Sequence, residues 1–159
     1  MGVQGANAPS WGIGVSPTLL SILSSSFRKG RGLGGASIQT DTLNLHGCTV
    51  AEAMTRFVGR YNGLLERSGG RLVALEVIHG KGQVDDPSRI REALRELLRK
   101  EGKRIPGANA RLAMMGAEYL FDNCGRLAYM HGEDIDRNGG KTVVVPRERI
   151  RLPAEYKVW

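Results

Sequence analysis

Residues 43–82 read LNLHGCTVAEAMTRFVGRYNGLLERSGGRLVALEVIHGKG. Two apolar runs, Leu43 to His46 and Leu72 to Ile78, lead into the pairs His46-Gly47 and His79-Gly80, and a stretch of helical periodicity separates them. Thr49 and Glu52 form a T-x-x-E capping box, which fixes the start of a first helix. Its inward face is Val50, Met54, Phe57, Val58, Tyr61 and Leu65, and Ser68-Gly69-Gly70 ends it. The near-continuous apolar run Leu72 to Ile78 suits a strand covered on both faces. Beyond Pro87 a second helix turns Ile90, Leu94, Leu97 and Leu98 inward and leaves Arg91, Glu92, Arg95, Glu96 and Arg99 outside. A strand-helix-strand crossover in one sheet is right-handed and makes its strands parallel. Both His-Gly turns therefore belong on one edge of the sheet, where open α/β sheets build ligand sites.

The HGKG turn, His79 to Gly82, places two glycine amides, a lysine and an imidazole together. That set suits a phosphate: amides and lysine oppose its charge, and an imidazole moves a proton near neutral pH. An isolated HGKG also describes a plain tight turn whose histidine ends a strand. Its pairing with LNLHG on the same edge favours a site.

LNLHGCTVAEAM followed by EVIHGKG and a basic amphipathic helix resembles the small MutS-related (Smr) domain, whose two signatures are L-D-x-H-G and H-G-x-G. GGKTVVV, residues 139–145, is similar to that family's glycine-rich turn and final strand. The resemblance covers about residues 42–100 strongly and residues 139–145 more weakly. It implies an α/β two-layer sandwich of a four-stranded mixed sheet and two main helices, similar to the C-terminal domain of bacterial initiation factor three, with an extra helix in the intervening insertion. The implied role is binding, and endonucleolytic cleavage or nicking, of RNA or DNA. His46 and His79 would share proton transfer, Lys81 would offset phosphate charge, and the amides of Gly80 and Gly82 would hold the phosphate. Gly47, Lys103, Arg104 and Lys141 complete the expected nucleic-acid contacts.

Asn44 departs from the family pattern, which has aspartate there. An amide hydrogen-bonds but is neither a carboxylate base nor a charged metal ligand. Two readings stay open: an endonuclease in which Asn44 orients His46, and a non-catalytic module that binds RNA or a ribosome surface. Asp41, Asp85 and Asp86 are the candidates for a replacement charge. Cleavage of RNA through its 2′-hydroxyl requires no cofactor, whereas DNA hydrolysis would call for a divalent cation near Asp85 or Asp86. RNA is the preferred substrate.

The whole chain fits this picture. Its 159 residues suffice for one domain with a core, and a formal charge of +7 favours an anionic partner. Cys48 and Cys124 are too few for a disulfide framework, and no run of about 18 apolar residues suits a bilayer span, so a reduced, cytoplasmic protein is expected. Residues 1–40 contain no acidic residue and three basic ones, Arg28, Lys29 and Arg31, among many Gly and Ser. They are expected to form a flexible basic tail, within which Leu19 to Phe27 is a candidate partner-docking helix. The domain is expected over 41–153, with a C-terminal tail over 154–159. Oligomeric state is not legible.

In the C-terminal third, Asn109 to Phe121 suggests a helix through Leu112, Met115, Ala117 and Tyr119, weakened by Gly116. Arg126 to His131 and Lys141 to Val145 suggest an antiparallel pair whose link, GEDIDRNGG, carries the hairpin signal Asn138-Gly139. The third pair, His131-Gly132, joins the other two only if its strand runs parallel to theirs. Gly140-Lys141-Thr142 lacks the first glycine of a phosphate-binding P-loop, and Asp134, Asp136 and Asn138 lack the glutamate that closes a calcium loop. His46 and Cys48 have no completing zinc ligands at the usual spacing.

Overall fold

The capping box is formed as its sequence requires: Thr49 N–H donates to Glu52 Oε2 at 2.8 Å, and Glu52 N–H donates to Thr49 Oγ1 at 3.3 Å. It opens helix α1, Val50–Arg67, which follows strand β1, Gln39–Asn44. The computed structural model describes residues 38–81, 88–122, 124 and 126–157. Strand β2, Val73–Ile78, leads to helix α2, Arg89–Glu101, and the short strand β3, Lys103–Arg104. Helices α3, Gly107–Met114, and α4, Tyr119–Asp122, precede strand β4, Leu127–His131. Helix α5, Gly132–Asp136, strand β5, Lys141–Pro146, and a 3-10 turn at Ala154–Tyr156 complete the chain.

The fold is α/β, with an open mixed sheet of five strands in the order β1-β2-β5-β4-β3. Four strands were expected; Lys103–Arg104 adds the fifth by pairing parallel to β4. β1 and β2 are parallel neighbours, and β5 runs antiparallel to both β2 and β4. Strands β1, β2 and β4 consequently end at the same sheet edge.

Strand alternation divides the core between the two faces. Val73, Leu75 and Val77 of β2, Leu127 and Tyr129 of β4, and Val144 of β5 pack with Met54, Phe57, Tyr61, Leu94 and Leu98 of α1 and α2. Ala74, Ala128, Met130, Val143 and Val145 face the other way, against Ala110, Ala113 and Phe121. The near-continuous apolar runs of β2 and β5 are thus explained by helices on both faces.

The expected helix over 109–121 is broken. α3 stops at Met114, Gly116 turns with φ +88°, and α4 restarts at Tyr119. The break rotates the face, so Ala110, Ala113 and Phe121 are buried while Leu112, Met115 and Tyr119 are exposed. The expected Asn138-Gly139 hairpin is also replaced. Residues 132–136 coil into α5, and the left-handed residue is Arg137, φ +66°, which caps that helix.

Ile38 is buried, with its N–H donating to Met114 O at 3.1 Å, and Leu152 and Tyr156 pack on the core. The basic residues Arg28, Lys29 and Arg31 and the stretch Leu19 to Phe27 lie outside the described residues. Among the described residues no helix is long and apolar enough to cross a membrane.

Candidate functional site at the His-Gly edge

β1 delivers Asn44 and His46 to the sheet edge, and the register Leu43↔Val77, Asn44↔Ile78 brings the LNLHG turn beside the HGKG turn. Leu45 N–H continues the ladder to Ile78 O at 2.8 Å. His46 is exposed, and its Nε2 lies 3.1 Å from the position a side-chain carbon on Gly80 would take. Gly80 has φ +79°, so the turn needs its left-handed freedom, and its missing side chain leaves room for the His46 ring. Gly47 is left-handed as well, φ +77°, but faces open space.

The two imidazoles are not equivalent. His79 is buried, 3% exposed, with Nδ1 2.9 Å from its neighbour's carbonyl, Gly80 O, and Nε2 2.9 Å from Thr142 Oγ1. A carbonyl only accepts, so Nδ1 carries the proton and Nε2 accepts the Thr142 hydroxyl. Burial pushes the His79 pKa down; the Gly80 carbonyl opposes this, and the charges of Arg95 and Arg91 reinforce it. The ring is neutral and both nitrogens are occupied. Of the two imidazoles expected to share proton transfer, His46 presents the exposed ring, and His79, with both nitrogens occupied, fixes the turn.

Asn44 is similarly occupied, its Oδ1 accepting the His46 N–H at 2.9 Å, so the amide sets the backbone that carries the imidazole. The Gly80 amide, expected to hold phosphate, has a partner within the chain. Gly80 N–H and His79 N–H both donate to Gly140 O at 3.0 Å. Gly82 lies outside the described residues, as do Asp85 and Asp86. Lys81 is exposed, its stem lying over Gly140, and its carbonyl accepts from Arg91 at 2.7 Å. Ser88 fixes the start of α2 to this turn by donating to His79 O at 3.1 Å while accepting the Arg91 N–H.

The remaining expected contacts are not brought to His46. Lys141 is 12% exposed and held by Asp136 at 2.6 Å and Glu76 at 3.7 Å, because β5 starts between β2 and α5. Lys103 and Arg104 sit on β3, the far strand of the sheet, and Arg104 pairs with Asp134. Asp41 lies three residues before Asn44 and pairs with Arg60 at 2.8 Å, so it supplies no charge to the edge.

His131 ends β4 on the same edge, as the register Val77↔Thr142↔His131 shows. It stands on the fourth strand of the five, about 14 Å from β1 at ordinary strand spacing. Burial, reinforced by Arg95 and Arg104, lowers its pKa to about 4. Among the described residues its Nδ1 and the Nε of Arg95 are buried without partners. Arg95 instead reaches Glu133 of α5, at 2.9 and 2.8 Å.

Thr142, Arg95 and Glu133 carry no local motif that marks them as edge residues. Only the pairing of β5 between β2 and β4 assembles them. Among the described residues no cluster of three or more His, Cys, Asp or Glu is arranged to hold a metal ion. Comparison of the chain with family models, with curated proteins and with solved structures finds no match.

Proposed function

We propose that the chain is an Smr-like nucleic-acid-binding domain that holds a phosphodiester where the LNLHG and HGKG turns meet, and that on RNA it acts as an endonuclease. The observation that carries this reading is the placement of the exposed His46 ring against the space a side chain on Gly80 would fill, one residue before Lys81. In the reaction His46 takes the 2′-hydroxyl proton as that oxygen attacks phosphorus. The P–O5′ bond breaks, the 5′ oxygen takes a proton from water, and a 2′,3′-cyclic phosphate remains. Lys81 opposes the charge that builds on the phosphate oxygens. His79 and Asn44 are positioning residues.

In this reading α1 and α2 form the main helical layer of an initiation-factor-three-like sandwich, and the protein works in the cytoplasm, where Cys48 and Cys124 stay reduced. A second reading, a non-catalytic module for RNA or a ribosome surface, is favoured by the occupied polar groups of Asn44 and His79.

Labelled structured RNA and plasmid DNA, incubated with wild type and His46→Ala with and without EDTA, separate these readings. The expected result is EDTA-resistant RNA cleavage that falls about 100-fold or more in the variant while binding persists. Equal cleavage by both proteins overturns the assignment of His46. Binding without cleavage selects the module, and absence of binding overturns both.

A further inference from the structure

The opposite end of β1 carries a second cationic feature. Arg60, Arg67 and Arg71 line an open cleft of about 610 Å³ between the C-terminal turn of α1 and the first residues of β1. Among the described residues Asp41 is the one carboxylate that lines it. Arg60 pairs with Asp41, whereas among the described residues neither Arg67 nor Arg71 has a carboxylate within ion-pair distance. In sequence, residues 1–40 contain no acidic residue. The carbonyls at the end of α1 contribute a partial charge of about −0.5, which three guanidiniums against one carboxylate outweigh. The field is legible on Asp41, whose carboxyl is held below the usual carboxylate range by its Arg60 hydrogen bond and by the charges of Arg60 and Arg67.

β1 links this cleft to the His-Gly edge. It is an outer strand of the sheet, and its exposed Thr40, Thr42 and Asn44 are uncharged. From Thr40 to His46 the chain spans roughly 20 Å at the rise of a strand. A stacked nucleic-acid strand places about six phosphates over that length. We infer that the cleft is a second phosphate-binding site, which takes the backbone of the same RNA strand whose other end lies at His46. This inference rests on the nucleic-acid reading above and adds to it a direction of travel, along β1, and a minimum length.

The test uses the full chain and 2′-O-methylated single-stranded RNA, which cannot be cut through its 2′ oxygen, as a labelled dinucleotide and dodecanucleotide. Fluorescence anisotropy compares wild type with Arg67→Ala/Arg71→Ala and Arg67→Lys/Arg71→Lys. The alanine pair is expected to weaken dodecanucleotide binding about tenfold at low salt and to flatten the dependence of log K on log salt by about 1.4. The lysine pair is expected to restore most of that affinity, and the dinucleotide is expected to bind all three proteins alike. An unchanged salt slope in the alanine pair, or an equal loss on the dinucleotide, overturns the second site and leaves the nucleic-acid reading standing. A wild type without affinity for either RNA overturns the reading on which it rests.

Discussion

The hydroxyl of Thr142 lies 2.9 Å from Nε2 of His79, and both residues are buried. Thr142 is also the register partner of Val77 on one side and of His131 on the other. One β5 residue thus ties the second His-Gly turn to the third. Thr142→Val keeps the shape and removes the donor, leaving a buried imidazole nitrogen unsatisfied. The expected loss is about 1–3 kcal/mol in urea denaturation at neutral pH, whereas Thr142→Ser keeps most of the stability. Equal losses in the two variants would show that packing, and not the hydrogen bond, holds this junction.

His131 makes folding sensitive to acid. Its pKa of about 4 in the folded chain lies below the unfolded value of about 6.5, so the unfolded chain binds the proton first. Its contribution is fully present above about pH 6.5 and is lost as the pH falls toward 4. The loss is roughly 3 kcal/mol by pH 4, and His79, also lowered, adds in the same direction. Denaturation midpoints between pH 7 and 4 are expected to fall less steeply in His131→Phe than in wild type. Parallel slopes would remove His131 as a source of the dependence.

Gly47 and Gly80 form a matched pair of probes. Both are left-handed, so alanine costs each about 1 kcal/mol or more in backbone strain. Only at Gly80 does the added methyl meet the His46 ring. Gly80→Ala is expected to impair RNA binding or cleavage beyond what its stability loss explains, and Gly47→Ala to change function no more than stability. Activity assays alongside thermal melts check this.

Lys141 and Lys81 are expected to divide stability from binding. Lys141→Met leaves Glu76 and Asp136 without their cation and lowers stability by about 1–3 kcal/mol, with little change in the salt dependence of RNA binding. Lys81→Met leaves stability nearly unchanged and flattens that salt dependence. The reverse pattern would move the phosphate contact from the second turn to the start of β5.

The βαβα succession and the shared edge of the first two turns were readable because each rests on local rules. Thr49 and Glu52 start α1, and the handedness of crossovers makes β1 and β2 parallel. The state of the site residues was not readable. Whether His79 is buried depends on β5 entering between β2 and β4, a pairing separated by more than sixty residues. The arginine stripe of α2, expected outside, also conceals a long-range partner, since the half-buried Arg95 pairs with Glu133 and not with its helix neighbours. Asn138-Gly139 signalled a turn correctly, but the acidic residues before it formed α5 and moved the left-handed position to Arg137.

The most direct test of the central claim is an NMR titration of the isotope-labelled full chain with uncleavable RNA, following the amides of residues 45–47 and 80–81 and the ring of His46. The largest shifts are expected there, and Lys81→Met is expected to diminish them. Shifts confined to other strands, with the His46 ring unmoved at saturation, would contradict the assignment of the nucleic-acid site to the edge where the first two His-Gly turns meet.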